Sequence, residues 1–176
     1  MAELRTAHTA DLDAATKSAI RKLMDTAFGT VSDDTFENAL GGVHALILDD
    51  GELTGHGSVV QRRLLHRGRA LRTGYVEGVA VRADRRRRGH GAAMMSALER
   101  VIRSAYQLGA LGASPEGGLL YASRGWQPWR GPASAMTPDG IVPTPGTDGI
   151  IYVLPVSVPF DVAGELTCDW RPGSLW

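Results

Sequence analysis

Two stretches of the chain repeat apolar residues at helical spacing, and the region between them alternates apolar with polar positions. In "DLDAATKSAIRKLMDTAFG", Leu12, Ile20, Leu23, Met24 and Phe28 predict one apolar face of an amphipathic helix, with Gly29 as its left-handed stop. In "GHGAAMMSALERVIRSAYQLG", Met94, Leu98, Val101, Ile102 and Tyr106 predict a second long helix. Ahead of the first, "LRTAH" has the alternation of a short edge strand. Just after it, "SDDTFENALGG" reads as a short helix. Ser32 can cap it, Asp33 and Asp34 suit its positive end, and the paired glycines stop it.

"VHALILDDGELTGHGSVVQRRLL" predicts two strands joined at Asp50-Gly51, a dipeptide favoured in tight hairpins. "HRGRA" turns the chain at Gly68, and "LRTGYVEGVAV" follows as a third strand, so residues 43–82 form an antiparallel meander. Beyond the second long helix, "ALGAS" is strand-like, "PEGGLLYASRGW" suggests a short helix ending at Gly125, and "IIYVLPV" is a late strand. Residues 128–149 are dense in Pro and Gly and read as a surface loop with little regular structure. A meander followed by strand, helix, strand, helix and strand predicts an α/β (α+β) fold. Its mixed central sheet would be flanked by helices, as one domain over residues 1–176.

Composition narrows this picture by exclusion. No stretch approaches the roughly 18 continuous apolar residues of a membrane helix, and the first residues are too polar for a signal peptide. A single cysteine, Cys168, excludes an internal disulfide and a cysteine metal cage, which fits a reducing, cytoplasmic setting; it is expected to be a packed thiol. The five histidines show no metal-ligand spacing and are expected at the surface or in turns, so no metal is expected.

The net charge is zero but unevenly spread. Residues 1–60 hold ten acids and four bases, 61–130 four acids and fourteen bases, and 131–176 five acids and one base. Such a chain could take an anion at its basic middle and a cation at its acidic ends.

The basic middle peaks at "VRADRRRRGHGAAMM". A strand entering a Gly-containing turn and then a helix leaves unpaired N–H groups at the helix N-terminus, where the helix dipole also favours an anion. Gly89 and Gly91 remove side chains where a phosphate must approach, and Arg85 to Arg88 can grip its oxygens. No Gly-Lys-Ser/Thr follows, so this is not a Walker loop, and the preceding meander is not a first Rossmann strand. The basic residues are not interleaved with aromatics and the isoelectric point is near 7.0, which argues against nucleic acid. A diphosphate seat remains.

With Val79, Val81, Arg86, Gly89 and Gly91, the segment "V-x-V-x-x-x-x-R-x-x-G-x-G" resembles the acetyl-CoA signature of the GNAT acetyltransferases. "YVEGVAVRAD", "AYQLGAL", "LYASRGW", "YVLP" and "CDWRPGSLW" resemble, more narrowly, the aminoglycoside 2'-N-acetyltransferases, over almost the whole chain. The resemblance implies acetyl-CoA as cosubstrate, an aminoglycoside as acceptor, antibiotic resistance as outcome and a homodimer as the assembly.

It also implies site residues. The backbone of Val79, Ala80 and Val81 would pair with pantetheine, and the amides of Arg86, Arg87, Arg88, Gly89, His90 and Gly91 would hold pyrophosphate. Glu77 lies two residues before Val79, hence on the same strand face, and would be either the base that deprotonates the amine or an anchor for its ammonium groups. Tyr121 would be the general acid for the departing thiolate. Asp33 or Asp34, Gly78, Asp148 and the terminal carboxylate of Trp176 would complete the substrate contacts, so that a C-terminal extension should harm binding. Relatives carry an acid where Ser174 stands, and acids at the places of Thr35 and Gly146-Thr147, which bears on substrate range.

No nucleophile motif is present, so transfer should be direct. Two other readings of the same residues are a GNAT enzyme for another amine and a non-catalytic acetyl-CoA-binding module. Retention of Glu77 and Tyr121 favours an enzyme, since a sensor needs neither acid nor base.

Overall fold

The structure, a computed structural model, describes residues 1–147 and 149–176. Contacts divide the chain into two compact units, Met1–Val60 with Val76–Val101, and Gln61–Tyr75 with Ile102–Trp176.

In the first unit, β1 (Ala2–His8) pairs antiparallel with β2 (Val43–Asp49), which pairs antiparallel with β3 (Glu52–His66). Strand β3 neighbours β4 (Arg69–Val81), and both strands continue into the second unit. The alternation of β3 sorts its residues onto two faces. On one, Gly55 and Gly57 leave room for helix α3 (His90–Ala105). A Cβ on Gly57 would stand 3.3 Å from Leu98 Cδ1, and one on Gly55 3.2 Å from Met94 Sδ. Helix α1 (Ala14–Phe28) contributes Ile20 and Met24 to a buried cluster with Leu12, Val31, Ala39 and Leu46, and Phe36 of α2 (Asp33–Asn38) packs against it.

Helix α2 starts at the expected Ser32 cap, whereas α1 starts at Ala14, capped by Asp13, so that Leu12 precedes the helix it is expected to join. The Asp13 carboxylate accepts from Thr16 N and the Ser32 hydroxyl from Thr35 N, each satisfying one orphan amide of its first turn. Phe28 departs from expectation: it ends α1 at 50 % exposure and takes no part in the core.

The second unit orders its strands β6-β9-β5-β4-β3-β10-β7-β8. Here β5 (Leu108–Gly112) and β6 (Gln127–Pro128) both pair antiparallel with β9 (Ile151–Pro155). Strand β10 (Leu166–Cys168) pairs antiparallel with β3 and parallel with β7 (Ala133–Thr137), which makes this sheet mixed. Helix α4 (Gly118–Ser123) precedes β6, and Cys168 is buried, as a packed thiol should be.

The stretch 128–149 is corrected by the structure. Its middle is a hairpin of β7 and β8 (Gly140–Pro143), turning at Thr137–Gly140. Pro138-Asp139-Gly140 is a turn signal between two short β-prone runs, and it could have located the hairpin. The Tyr106 ring also lies just beyond α3, although Tyr106 N still donates to Ile102 O.

Candidate active site

The end of β4 and the turn into α3 set out the basic segment as a cradle. Arg86, Arg87 and Arg88 are all exposed. Arg87 has φ +58 and Gly89 φ +82, so successive amides are turned by left-handed backbone, a geometry that makes anion-binding nests. The first ladder bond here runs from Ala93 N to Gly89 O, which leaves the amides of His90, Gly91 and Ala92 ahead of the helical ladder.

Arg85 differs from its three successors. Its Nε is 2.8 Å from Asp49 Oδ2 and its Nη1 3.4 Å from Asp84 Oδ2, so it ties the turn to β2. Arg82 pairs with Glu52, the first residue of β3, and with Asp84. Arg86 donates from Nε to the Val81 carbonyl at 3.1 Å, so that carbonyl already has a partner.

Upstream, Ala80 is buried, while Glu77, Gly78, Val79 and Val81 are half-buried. Gly78 has φ +58, a left-handed residue inside a strand, and this interrupts the alternation on which a shared face for Glu77 and Val79 depends. A side chain at Gly78 would meet Met24 Sδ at 3.1 Å as well. Its carbonyl accepts from His56 Nδ1 at 2.9 Å.

His56, His44 and His66 correct the expectation of surface histidines, because all three are buried. Burial pushes the His44 imidazole down to about 4 and His56 down to about 3, from an ordinary value of 6.5. Both rings are therefore neutral at physiological pH.

Both acids on α2 are exposed; Asp33 accepts from Arg21 Nη1 at 2.9 Å, and Asp34 stands beside it. Asp148 lies outside the described residues.

In the second unit, Tyr121 is 7 % exposed on α4, its ring 6.1 Å from Trp126 and 6.0 Å from Tyr152. Burial pushes its phenol up to about 12, so it holds its proton across the neutral range. Trp176 is buried, donates from Nε1 to Thr144 Oγ1 at 2.9 Å, and accepts at its main-chain oxygen from the Ser174 hydroxyl. Ser174 thus serves as a donor where an acid would have repelled that oxygen. A Cβ on Gly112 would come 3.1 Å from the Trp176 carbonyl carbon.

Sequence reasoning missed the residue that holds this segment. Arg62, 3 % exposed on β3, donates from Nε to Asp169 Oδ1 at 2.7 Å, from Nη1 to Leu175 O at 2.7 Å and from Nη2 to Asp169 O at 3.0 Å. Its guanidinium also lies 4.6 Å from the Tyr75 ring centroid. The four residues of "QRRL" gave no local sign of which arginine turns inward.

Among the described residues no three His, Cys, Asp or Glu side chains gather into a group that could hold a metal ion. No helix there is long and apolar enough to cross a membrane.

Comparison with known proteins adds identity to this geometry. Residues 8–129 match the family described as "Acetyltransferase (GNAT) domain". An aminoglycoside 2'-N-acetyltransferase of Mycolicibacterium fortuitum is 51 % identical, over 98 % of this chain and 91 % of that protein. The crystal structure of the Escherichia coli GNAT family N-acetyltransferase YhbS in complex with CoA superposes with TM-score 0.65 at 16 % identity, covering 95 % of this chain and 89 % of that one. A probable N-acyltransferase from Enterococcus faecalis superposes over 73 % of this chain at TM-score 0.61 and 16 % identity; this chain spans 33 % of its length. At these identities the two structures speak to the fold.

Proposed function

This chain belongs to the GNAT acetyltransferases, and from that premise we propose that it transfers the acetyl group of acetyl-CoA to the 2'-amino group of an aminoglycoside. The observation that carries the acetyl-CoA half is the turn at Arg86–Gly91, whose left-handed residues, helix-start amides and exposed guanidiniums suit a pyrophosphate. The substrate half is supported by the activity named for the Mycolicibacterium fortuitum relative. The reading takes residues 1–176 as one N-acetyltransferase domain, active without a metal. On the family resemblance it includes a cytoplasmic homodimer and no nucleic-acid or membrane partner.

Each residue then has a chemical task. The backbone of Val79, Ala80 and Val81 would align the pantetheine, and the amides from Arg86 to Gly91 would hold the diphosphate. An aminoglycoside amine is largely an ammonium at neutral pH, and Glu77 would accept its proton or hold it in place. The freed nitrogen attacks the thioester carbonyl, a C–N bond forms, the C–S bond breaks, and the leaving thiolate takes a proton. Tyr121, protonated at rest because it is buried, is the donor proposed for that sulfur. No acyl-enzyme is needed.

Exposed Asp34, rather than Arg21-paired Asp33, is the better anchor for a substrate ammonium on α2. Gly78, Asp148 and Trp176 complete the substrate contacts in this reading.

The test is acetyl-CoA-dependent thiol release with a 2'-amino aminoglycoside beside a matched 2'-hydroxyl compound. Turnover with the amine alone supports the assignment. Acetyl-CoA binding without turnover of either compound rejects the aminoglycoside as substrate.

A further inference from the structure

We infer that Thr9, His44 and His56 form a one-directional hydrogen-bond chain whose last donor fixes the Gly78 carbonyl, making His56 a positioning residue for the strand that carries Glu77 and Val79. The role of that strand rests on the proposed function; the chain itself rests on geometry alone.

The direction follows from counting protons. The Gly78 carbonyl can only accept, so His56 Nδ1, 2.9 Å away, must carry the hydrogen. A neutral imidazole has one N–H, so His56 Nε2 is an acceptor. Its partner at 3.0 Å, His44 Nδ1, is then the donor. His44 Nε2 is left as an acceptor for the Thr9 hydroxyl at 2.7 Å. Thr9 Oγ1 in turn accepts from Gly41 N at 2.8 Å and Gly42 N at 3.1 Å. Every link has a donor and an acceptor only if both rings are in the Nδ1–H tautomer, and both are fully buried.

The fold makes the chain available. Leu46 lies opposite His56 and Ser58 opposite His44 in the β2–β3 register, so the two histidines are diagonal neighbours on one sheet face. At its far end, the left-handed Gly78 turns its carbonyl toward His56, and a side chain there would crowd Met24, whose Cε would stand 3.1 Å from a Cβ. Three constraints therefore converge on one peptide: positive φ, close packing and a buried donor. Gly78 lies between Glu77 and Val79, and its carbonyl belongs to the peptide with Val79, so holding that carbonyl fixes the direction of the chain between the two residues. A misplacement of about 1 Å at a reacting group can cost roughly 100-fold in rate.

The test uses two substitutions that split the His56 contacts. In His56→Asn the amide nitrogen falls where Nδ1 was, keeping the donor to Gly78 O and losing His44. In His56→Gln the amide reaches the Nε2 position, keeping His44 and releasing Gly78 O. Positioning predicts that His56→Asn stays near the parent kcat while His56→Gln loses about 10- to 100-fold, with both expected to be destabilised to a similar degree in thermal melts. Equal kcat per folded molecule in the two variants overturns the positioning role.

Imidazole 15N spectra of the parent supply a readout independent of turnover. Both rings should be in the Nδ1–H tautomer at pH 7, and either ring in the Nε2–H tautomer overturns the chain. If the tautomers are as assigned and the parent acetylates no amine, the proposed function fails and the positioning role with it.

Discussion

Arginine is put to two opposite uses in this chain. At Arg86–Arg88 the side chains stand in solvent on a turn shaped by left-handed backbone. On β3, Arg62 is buried and spends its donors on Asp169 and Leu175. An exposed guanidinium keeps its water, adds little to stability and stays available to an incoming anion. A buried one has given up its water, so each of its partners depends on it. The same residue type is therefore free for the proposed anion contact in one region and a fastening in the other, and its surroundings decide which.

Replacing Arg62 by Ala should break that contrast most sharply. It removes the donors that Arg62 gives Asp169 Oδ1, Asp169 O and Leu175 O, while Arg63 N still donates to Asp169 Oδ2. Loss of one partner from a pair buried on one side costs up to about 3–5 kcal/mol. Denaturant unfolding measures it; a loss below about 1 kcal/mol, the range of exposed pairs, would place Arg62 with the surface arginines. Tyr121→Phe probes burial used for chemistry rather than fastening. A general acid contributes at least about 100-fold, or roughly 2.7 kcal/mol of transition-state stabilisation. The expected result is that loss in kcat with little change in stability, and unchanged turnover across pH would remove the acid.

The buried histidines predict an intermediate effect with a definite sign. Their folded values, about 4 and about 3, lie below the ordinary 6.5, so between these limits the unfolded chain binds more protons than the folded one. Their contribution is complete above pH 6.5 and is lost as the pH falls toward the folded values, at up to about 1.4 kcal/mol per pH unit for each ring. Unfolding free energies at pH 7, 6 and 5 should show this slope, and a His44→Asn, His56→Asn double variant should flatten it.

The smallest effects lie within the turn. Alanine at Arg86, Arg87 or Arg88 should raise the KM for acetyl-CoA about two- to fivefold each, as expected for exposed ionic contacts. Arg85→Ala should move it less than any of these, because Arg85 is held by Asp49. A larger effect at Arg85 would reverse the division of labour proposed for the four arginines.

These regions also differ in how far the sequence alone reveals them. The turn is announced by neighbours: arginines, two glycines and a following apolar periodicity all fall within one short segment. The cap at Ser32 and the hairpin at Asp50-Gly51 are equally local, and each is found where expected. Arg62 meets partners more than one hundred residues away, as the separation of 107 to Asp169 shows, and nothing near position 62 marks the event.

The same holds for His44 and His56, whose burial is decided by the pairing of β2 with β3. In "GHGS" the flanking glycines make His56 look like a turn residue, whereas they clear the opposite face for α3. The β7–β8 hairpin was hidden differently, by Pro and Gly so frequent that the informative Pro138-Asp139-Gly140 turn did not stand out. Gly78 was legible as a glycine but not as a left-handed one, and that single torsion alters the relation between Glu77 and Val79.

The central claim is regiospecific acetyl transfer, and the most direct measurement is the identity of the product. After reaction of a 2'-amino aminoglycoside with acetyl-CoA, mass spectrometry and two-dimensional NMR should find one acetyl group, bonded to the 2'-nitrogen. An acetyl group on any other nitrogen, or on oxygen, would contradict the account.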